Sequence, residues 1–197
     1  MDLNRVYAAS GIASAVVFMS MWILAAYMDV NWELGDNALS DLGTCGNDAA
    51  EIAFNMACAI AGLFGVMFGI YVLNRKGMMH YTGVFMILSS FGLTGIGVIN
   101  EGYGDPHAIV AMSYAFFGAV SMVLSMIADY RANRRNYAFT TLILLLIVIL
   151  MQMTMDFALY EPVDVTCFCT WAAVQSFKYL KMEILGKENL DPEKAEA

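Results

Sequence analysis

The stretch YAFTTLILLLIVILMQMTMDFA fills residues 137–158. From Leu142 to Met151 it carries no polar side chain. At 1.5 Å of rise per residue, about 20 such residues cross a hydrocarbon layer of ~30 Å as a helix. Five more apolar segments surround it, at about 6–28, 49–73, 80–99, 108–130 and 165–185. The sixth is the weakest, because Gln175, Lys178 and Lys181 interrupt its second half. This pattern predicts an all-α protein, a polytopic membrane bundle of six transmembrane helices.

Composition agrees. The 197 residues are 60% hydrophobic and 14% charged, and the mean hydropathy is +0.63. An average soluble domain is about a quarter charged. Residues 1–185 read as one six-helix transmembrane domain, and 186–197 as a charged cytoplasmic tail. The connections are short and polar, except for one long loop at 29–48. The net charge is −8. No basic patch interleaves with aromatic residues, which argues against nucleic acid as a partner.

Orientation follows from the basic residues. With six spans, all ten Lys and Arg fall on one side. They are Arg5, Arg75, Lys76, Arg131, Arg134, Arg135, Lys178, Lys181, Lys187 and Lys194. Lys and Arg collect in cytoplasmic loops, so both termini are expected in the cytoplasm of a cell-membrane protein. The scarcity of acids and bases within the spans predicts a core filled by side chains, without a continuous water path. Ala57, Ala61, Gly65 and Gly69 recur every four residues, as do Ala111, Ala115 and Ala119. Such spacing lets helix backbones approach closely. Packing within the chain is the favoured reading; a homodimer seam is the less favoured one.

The polar motifs gather on the expected outer side. In the loop, Gly35-Asp36-Asn37-Ala38-Leu39-Ser40-Asp41-Leu42-Gly43 can form a short capped helix ended by Gly43. It would hold Ser40 and Asp41 at the membrane surface, with Leu39 and Leu42 seating it. Asp48 and Glu51 have capping-box spacing and need no further role. Asp105 and Pro106 suit a helix start, placing His107 in its first turn. Glu101 lies six residues earlier. A carboxylate near an imidazole can orient it, bind a cation with it, or share proton transfer. Asn55 lies about two turns inside the second span. Gln152 and Asp156 share one helical face in the fifth. The expected ligand-binding set is Ser40, Asp41, Asn55, Glu101, His107 and Asp156.

Metal chemistry finds little footing. Zinc needs three or four N, S or O ligands. The two histidines, His80 and His107, fall on opposite sides, so no metal site and no cofactor is expected. Cys45, Cys167 and Cys169 lie near the outer face, where a disulfide from Cys45 to Cys167 or Cys169 is conceivable but not the favoured reading.

One family resembles this pattern. Leu39-Ser40-Asp41-Leu42-Gly43, then Phe54-Asn55, Gly97 before Glu101, and His107 opening a helix with Phe116 look like the uncharacterised prokaryotic membrane family catalogued as domain of unknown function 998. The resemblance runs from about Ala8 to the end of the sixth span. It implies a six-helix integral membrane protein with polar motifs on one face, and no known reaction. Where that family tends to show an aromatic residue and a proline before the acid, this chain has Ile99-Asn100.

Three functions compete. The first is an outward-facing polar site for a cation, polar small molecule or lipid headgroup. The second is a membrane-embedded enzyme acting on lipid or envelope precursors, with His107 as acid/base and Glu101 or Asp41 orienting it. The third is a structural or accessory subunit. The first is preferred, because the sequence supplies polar groups at one face and no demonstrated nucleophile and base.

Overall fold

The computed structural model describes residues 2–186. Among them are six long helices: α1 (Leu3–Met28), α2 (Asp48–Leu73), α3 (Met78–Val98), α4 (Asp105–Arg131), α5 (Arg135–Thr154) and α6 (Phe157–Ile184). Two short 3-10 turns, Ser40–Gly43 and Glu101–Tyr103, punctuate the connections. Each helix packs on the next, and α6 closes back onto α1. The bundle thus has a loop end, which carries 29–47, and a basic end, where α2, α4 and α6 finish. The tail expected at 186–197 lies, from Lys187 onward, outside the described residues.

Helices α1 to α5 are long and apolar enough to cross a membrane. Their outer faces are apolar too. On α5, Ile143, Leu146, Ile149 and Leu150 are each more than half exposed. A contiguous apolar skin of this kind suits lipid rather than water. The hydrophobic pattern therefore reports the solvent, while the buried face is marked by small residues. Ala57 and Ala61 are fully buried. A Cβ on Gly69 would come within 2.7 Å of Ile87. The alanine and glycine spacing on α2 thus serves packing within the chain.

Gly97 is the tightest of these contacts at the loop end. A Cβ there would meet the backbone of α2, at Asn55 O and, 2.8 Å away, at Ala59 N. Only glycine lets α3 lie this close to α2. That contact sets the depth of Asn55 relative to the turns above it.

Sequence reasoning missed the basic end. The spans are not free of buried charge. Asp129 on α4 is fully buried and receives the Lys178 ammonium at 2.8 and 2.9 Å. Arg134 Nε donates to it at 2.8 Å, and Gln175 Nε2 at 3.1 Å. Lys178 also lies over the Tyr179 ring, 4.4 Å from its centroid. Beside it, Arg75 on α2 pairs with Glu183 on α6 at 2.9 Å, and Tyr71 donates to the same carboxylate. α6 is thereby tied to α2 and α4 by charges that neutralise one another. Of the residues that weaken its apolar pattern, Gln175 and Lys178 are buried and paired in this way, while Lys181 is exposed.

Candidate functional site

The long loop is anchored from an unexpected direction. Leu39 and Leu42 are buried and seat the Ser40–Gly43 turn on the bundle, as their spacing suggests. Its cap comes from α6. The Glu161 carboxylate accepts from Leu39 N at 2.6 Å and Ser40 N at 3.4 Å. Asp41 Oδ2 accepts from Ala38 N at 2.8 Å. Asn55 Nδ2 donates to Gly43 O at 3.1 Å, holding the far end of the turn. Gly43 does not adopt the left-handed conformation; Gly46 does, with φ 81°. The cap of α2 is Asn47, not Asp48, and Glu51 reaches back to Gly46 N at 2.6 Å.

The second polar connection meets this turn. α3 ends at Val98, and Glu101 begins the next 3-10 turn. Glu101 lies beside Asp41, Ser40 and His107, and its Oε2 is buried without a hydrogen-bond partner. Burial raises its pKa, and the neighbouring Asp41 carboxylate raises it further. His107 does not use Glu101 as its orienting partner. Its Nδ1 sits 2.7 Å from Ile99 O. A carbonyl only accepts, so Nδ1 carries the hydrogen and donates. In the neutral ring Nε2 is then left as an acceptor. The residue that departs from the resembled pattern, Ile99, is the one that sets this tautomer.

Below the turn lies a cavity of about 180 Å³. Its polar wall is Ser40, His107, Gln152, Tyr160, Glu161 and Asp164. Its apolar walls include Phe18, Phe54, Ile96, Ala111 and Val165. Asp164 is 9% exposed, and its Oδ1 has no hydrogen-bond partner. Of the six residues expected to bind a ligand, Ser40 and His107 line this cavity. Asp41, Glu101 and Asn55 hold or adjoin the turn that roofs it. Asp156 does neither: it is exposed, and it precedes α6 instead of lying on α5. Helix α5 stops at Thr154. The helical face expected to join Gln152 to Asp156 is therefore broken, and only Gln152 reaches the cavity. Phe116, part of the resemblance, faces outward at 63% exposure.

Glu161 and Asp164 were not singled out in the sequence. The stretch 160–164 reads as a polar turn containing Pro162, yet it is the first part of α6. The available signal was the spacing of Glu161, Asp164, Val165 and Phe168, one face of a helix continuing into the span. All four cysteines are free thiols, so the Cys45 bridge to Cys167 or Cys169 is not formed. Cys45 Sγ lies instead 3.9 Å from Asn47 O within its own loop turn. Among the described residues, no group of three or more His, Cys, Asp or Glu is placed to hold a metal ion.

Glu161 gives a pH prediction. It lies at the loop end of α6, ahead of the apolar stretch that begins at Val165. Burial raises its pKa from 4.5 to about 7, against the lowering effect of the two backbone N–H groups. The folded state therefore holds this proton more tightly than the unfolded chain. Its contribution to stability is full below pH 4.5 and is lost as pH rises through about 7. Glu101 shifts in the same direction. Thermal unfolding should show a Tm that falls between pH 5 and pH 8. Glu161→Gln keeps an acceptor for Leu39 N and should flatten much of that fall. A Tm that rises over the window would contradict this assignment.

The bundle and its apolar skin define a helical protein of membrane character with buried polar groups at both ends. Its family is shown by comparison. A family model described as "Protein of unknown function (DUF998)" matches residues 12–177, and the chain belongs to that family. No curated protein and no solved structure matches it.

Proposed function

We propose that this is a multi-pass protein of the cell membrane, with six spans, cytoplasmic termini and an outward-facing cavity that binds a small polar or amphiphilic molecule. The observation that carries the reading is the cavity beneath the loop, where apolar walls surround Asp164, a buried carboxylate with an unpartnered oxygen. A buried carboxylate oxygen is costly unless something meets it. The lipid bilayer is the protein's first partner, and a lipid headgroup or a cation is within the class of occupants.

Support for a sixth span comes from α6 itself. From Val165 to Ile184 it rises about 30 Å, the depth of a hydrocarbon core. Lys178 and Glu183 are buried against α4 and α2 and paired there. Charges within a span are expected to face the bundle interior and pair in this way. Cysteines placed at 36 or 103 should react with an impermeant thiol reagent from outside the cell, and cysteines at 76 or 133 should not. Labelling at 76 or 133 alone would invert the topology.

The binding function has its own test. Native mass spectrometry of the protein released from its membrane should retain a bound small molecule. Ala115→Phe, which fills the cavity, should lose it. An identical bound mass in that variant, or none in the wild type, would refute the cavity as the site. An enzyme of lipid or envelope precursors is the second reading. It rests on His107 Nε2, an acceptor in the neutral ring that could serve as a base.

A further inference from the structure

We infer that the cavity selects an organic ammonium group carried on an apolar body. This rests on the cavity being a ligand site, and it adds the charge and chemical class of the occupant.

The hydrogen-bonding groups decide the charge. Glu161 spends Oε2 on the loop amides. His107 spends its Nδ1 hydrogen on Ile99 O. Among the groups left are two acceptors, Asp164 Oδ1, buried and without a partner, and His107 Nε2, beside the Ser40, Gln152 and Tyr160 side chains, which can donate as well as accept. Among the described residues, no Lys or Arg lines the cavity. An anionic occupant would find the Asp164 carboxylate and no fixed cation. A donor-bearing or permanently charged cation finds a carboxylate to pair with.

The walls decide the chemical class. A bare divalent cation seeks six to eight oxygens, or an octahedron with its own waters. The cavity instead presents the rings of Phe18, Phe54, Tyr114, Phe157 and Tyr160. Aromatic faces attract ammonium groups, and do so more strongly away from water. The volume of about 180 Å³ equals roughly six water volumes, enough for a substituted ammonium head and a few carbons. Met112 and Phe157 both line the cavity and are more than half exposed. They mark a mouth between α4 and α6 that opens onto the surface surrounding the bundle. An ammonium head would enter there and leave its apolar body between these two side chains. The head could belong to a lipid or to a free amine.

The test uses the full chain in nanodiscs of phosphatidylglycerol, which carries no ammonium, with empty discs subtracted. The probes are butylammonium, butyltrimethylammonium, butyl sulfate and butanol, followed by calorimetry. The two ammonium probes should bind saturably, and butyl sulfate and butanol should not. Asp164→Asn should weaken ammonium binding at least tenfold while leaving Tm close to wild type. If Asp164→Asn does not fold, Ala115→Phe should abolish binding in a folded protein. Transfer to phosphatidylethanolamine discs should weaken butylammonium by competition if the source is a headgroup, and leave it unchanged if it is a free amine. Butyl sulfate or butanol binding as tightly as the amines would overturn the ammonium assignment and leave the cavity as a site. No probe binding, with the native bound mass still retained, would do the same. No probe binding and no retained mass would sink both. Ammonium binding that survives Asp164→Asn would overturn the recognition argued here.

Discussion

Replacing Asp129 with alanine should cost about 3–5 kcal/mol of stability, the usual penalty for removing one partner of a buried ion pair. Asp129 has no accessible surface, and Lys178 is 2% exposed. Without the carboxylate, the Lys178 ammonium would lose the counter-charge it touches at 2.8 and 2.9 Å in a site closed to water. The reciprocal change, Lys178→Ala, should cost less. Asp129 would still receive Arg134 Nε at 2.8 Å and Gln175 Nε2 at 3.1 Å. The pair Asp129→Leu with Lys178→Met should recover much of the loss, because an apolar pair of similar volume carries no desolvation cost. Thermal unfolding of the purified protein, single and double variants together, checks the order. An Asp129→Ala protein with wild-type Tm would mean that Lys178 reaches water and that the basic end is open.

Gly97 supplies the second large effect, at the other end of the bundle. Alanine there should cost about 1–3 kcal/mol, the range for overpacking a tight contact. Its Cβ would press on backbone atoms, Asn55 O and Ala59 N, which cannot turn aside as a side chain can. α2 and α3 must part. Asn55 holds Gly43 O, so the turn above the cavity should shift with it. Gly97→Ala should therefore lower Tm and retention of the bound molecule together. Gly102→Ala is the control. Its nearest neighbour would be Asn100 Oδ1 at 3.3 Å, the end of a side chain that can move. If Gly97→Ala lowers Tm and leaves binding untouched, the helix contact and the cavity are independent.

Much of this architecture was legible in the chain because lipid imposes a simple rule. An apolar run of about 20 residues has few alternatives to a spanning helix, and α1 to α5 follow it. The turn at Ser40–Gly43 was legible from Leu39 and Leu42. What escaped depends on partners distant in sequence. Asp129 reads locally as the polar end of a span beside Tyr130 and Arg131; its partner Lys178 lies 49 residues on. Lys178 in turn reads as a flaw in the sixth segment until Asp129 is set beside it. Asp156, Glu161 and Asp164 fall within ten residues that include Pro162, a composition typical of a loop. Burial of Glu161 beneath the turn makes that stretch helix instead, and separates it from the exposed Asp156. Asp41 shows the opposite case. Its carboxylate binds Ala38 N of its own turn, the local bond that Asp favours, and so it shapes the roof of the cavity without lining it.

The most direct test is an experimental structure of the protein in a lipid disc prepared from its own membrane. The expected result is a molecule in the cavity beneath 39–43, with its ammonium group paired with Asp164 Oδ1 and its apolar part passing Met112 and Phe157. A cavity closed by its own side chains, with Asp164 bonded to another protein group, would contradict it.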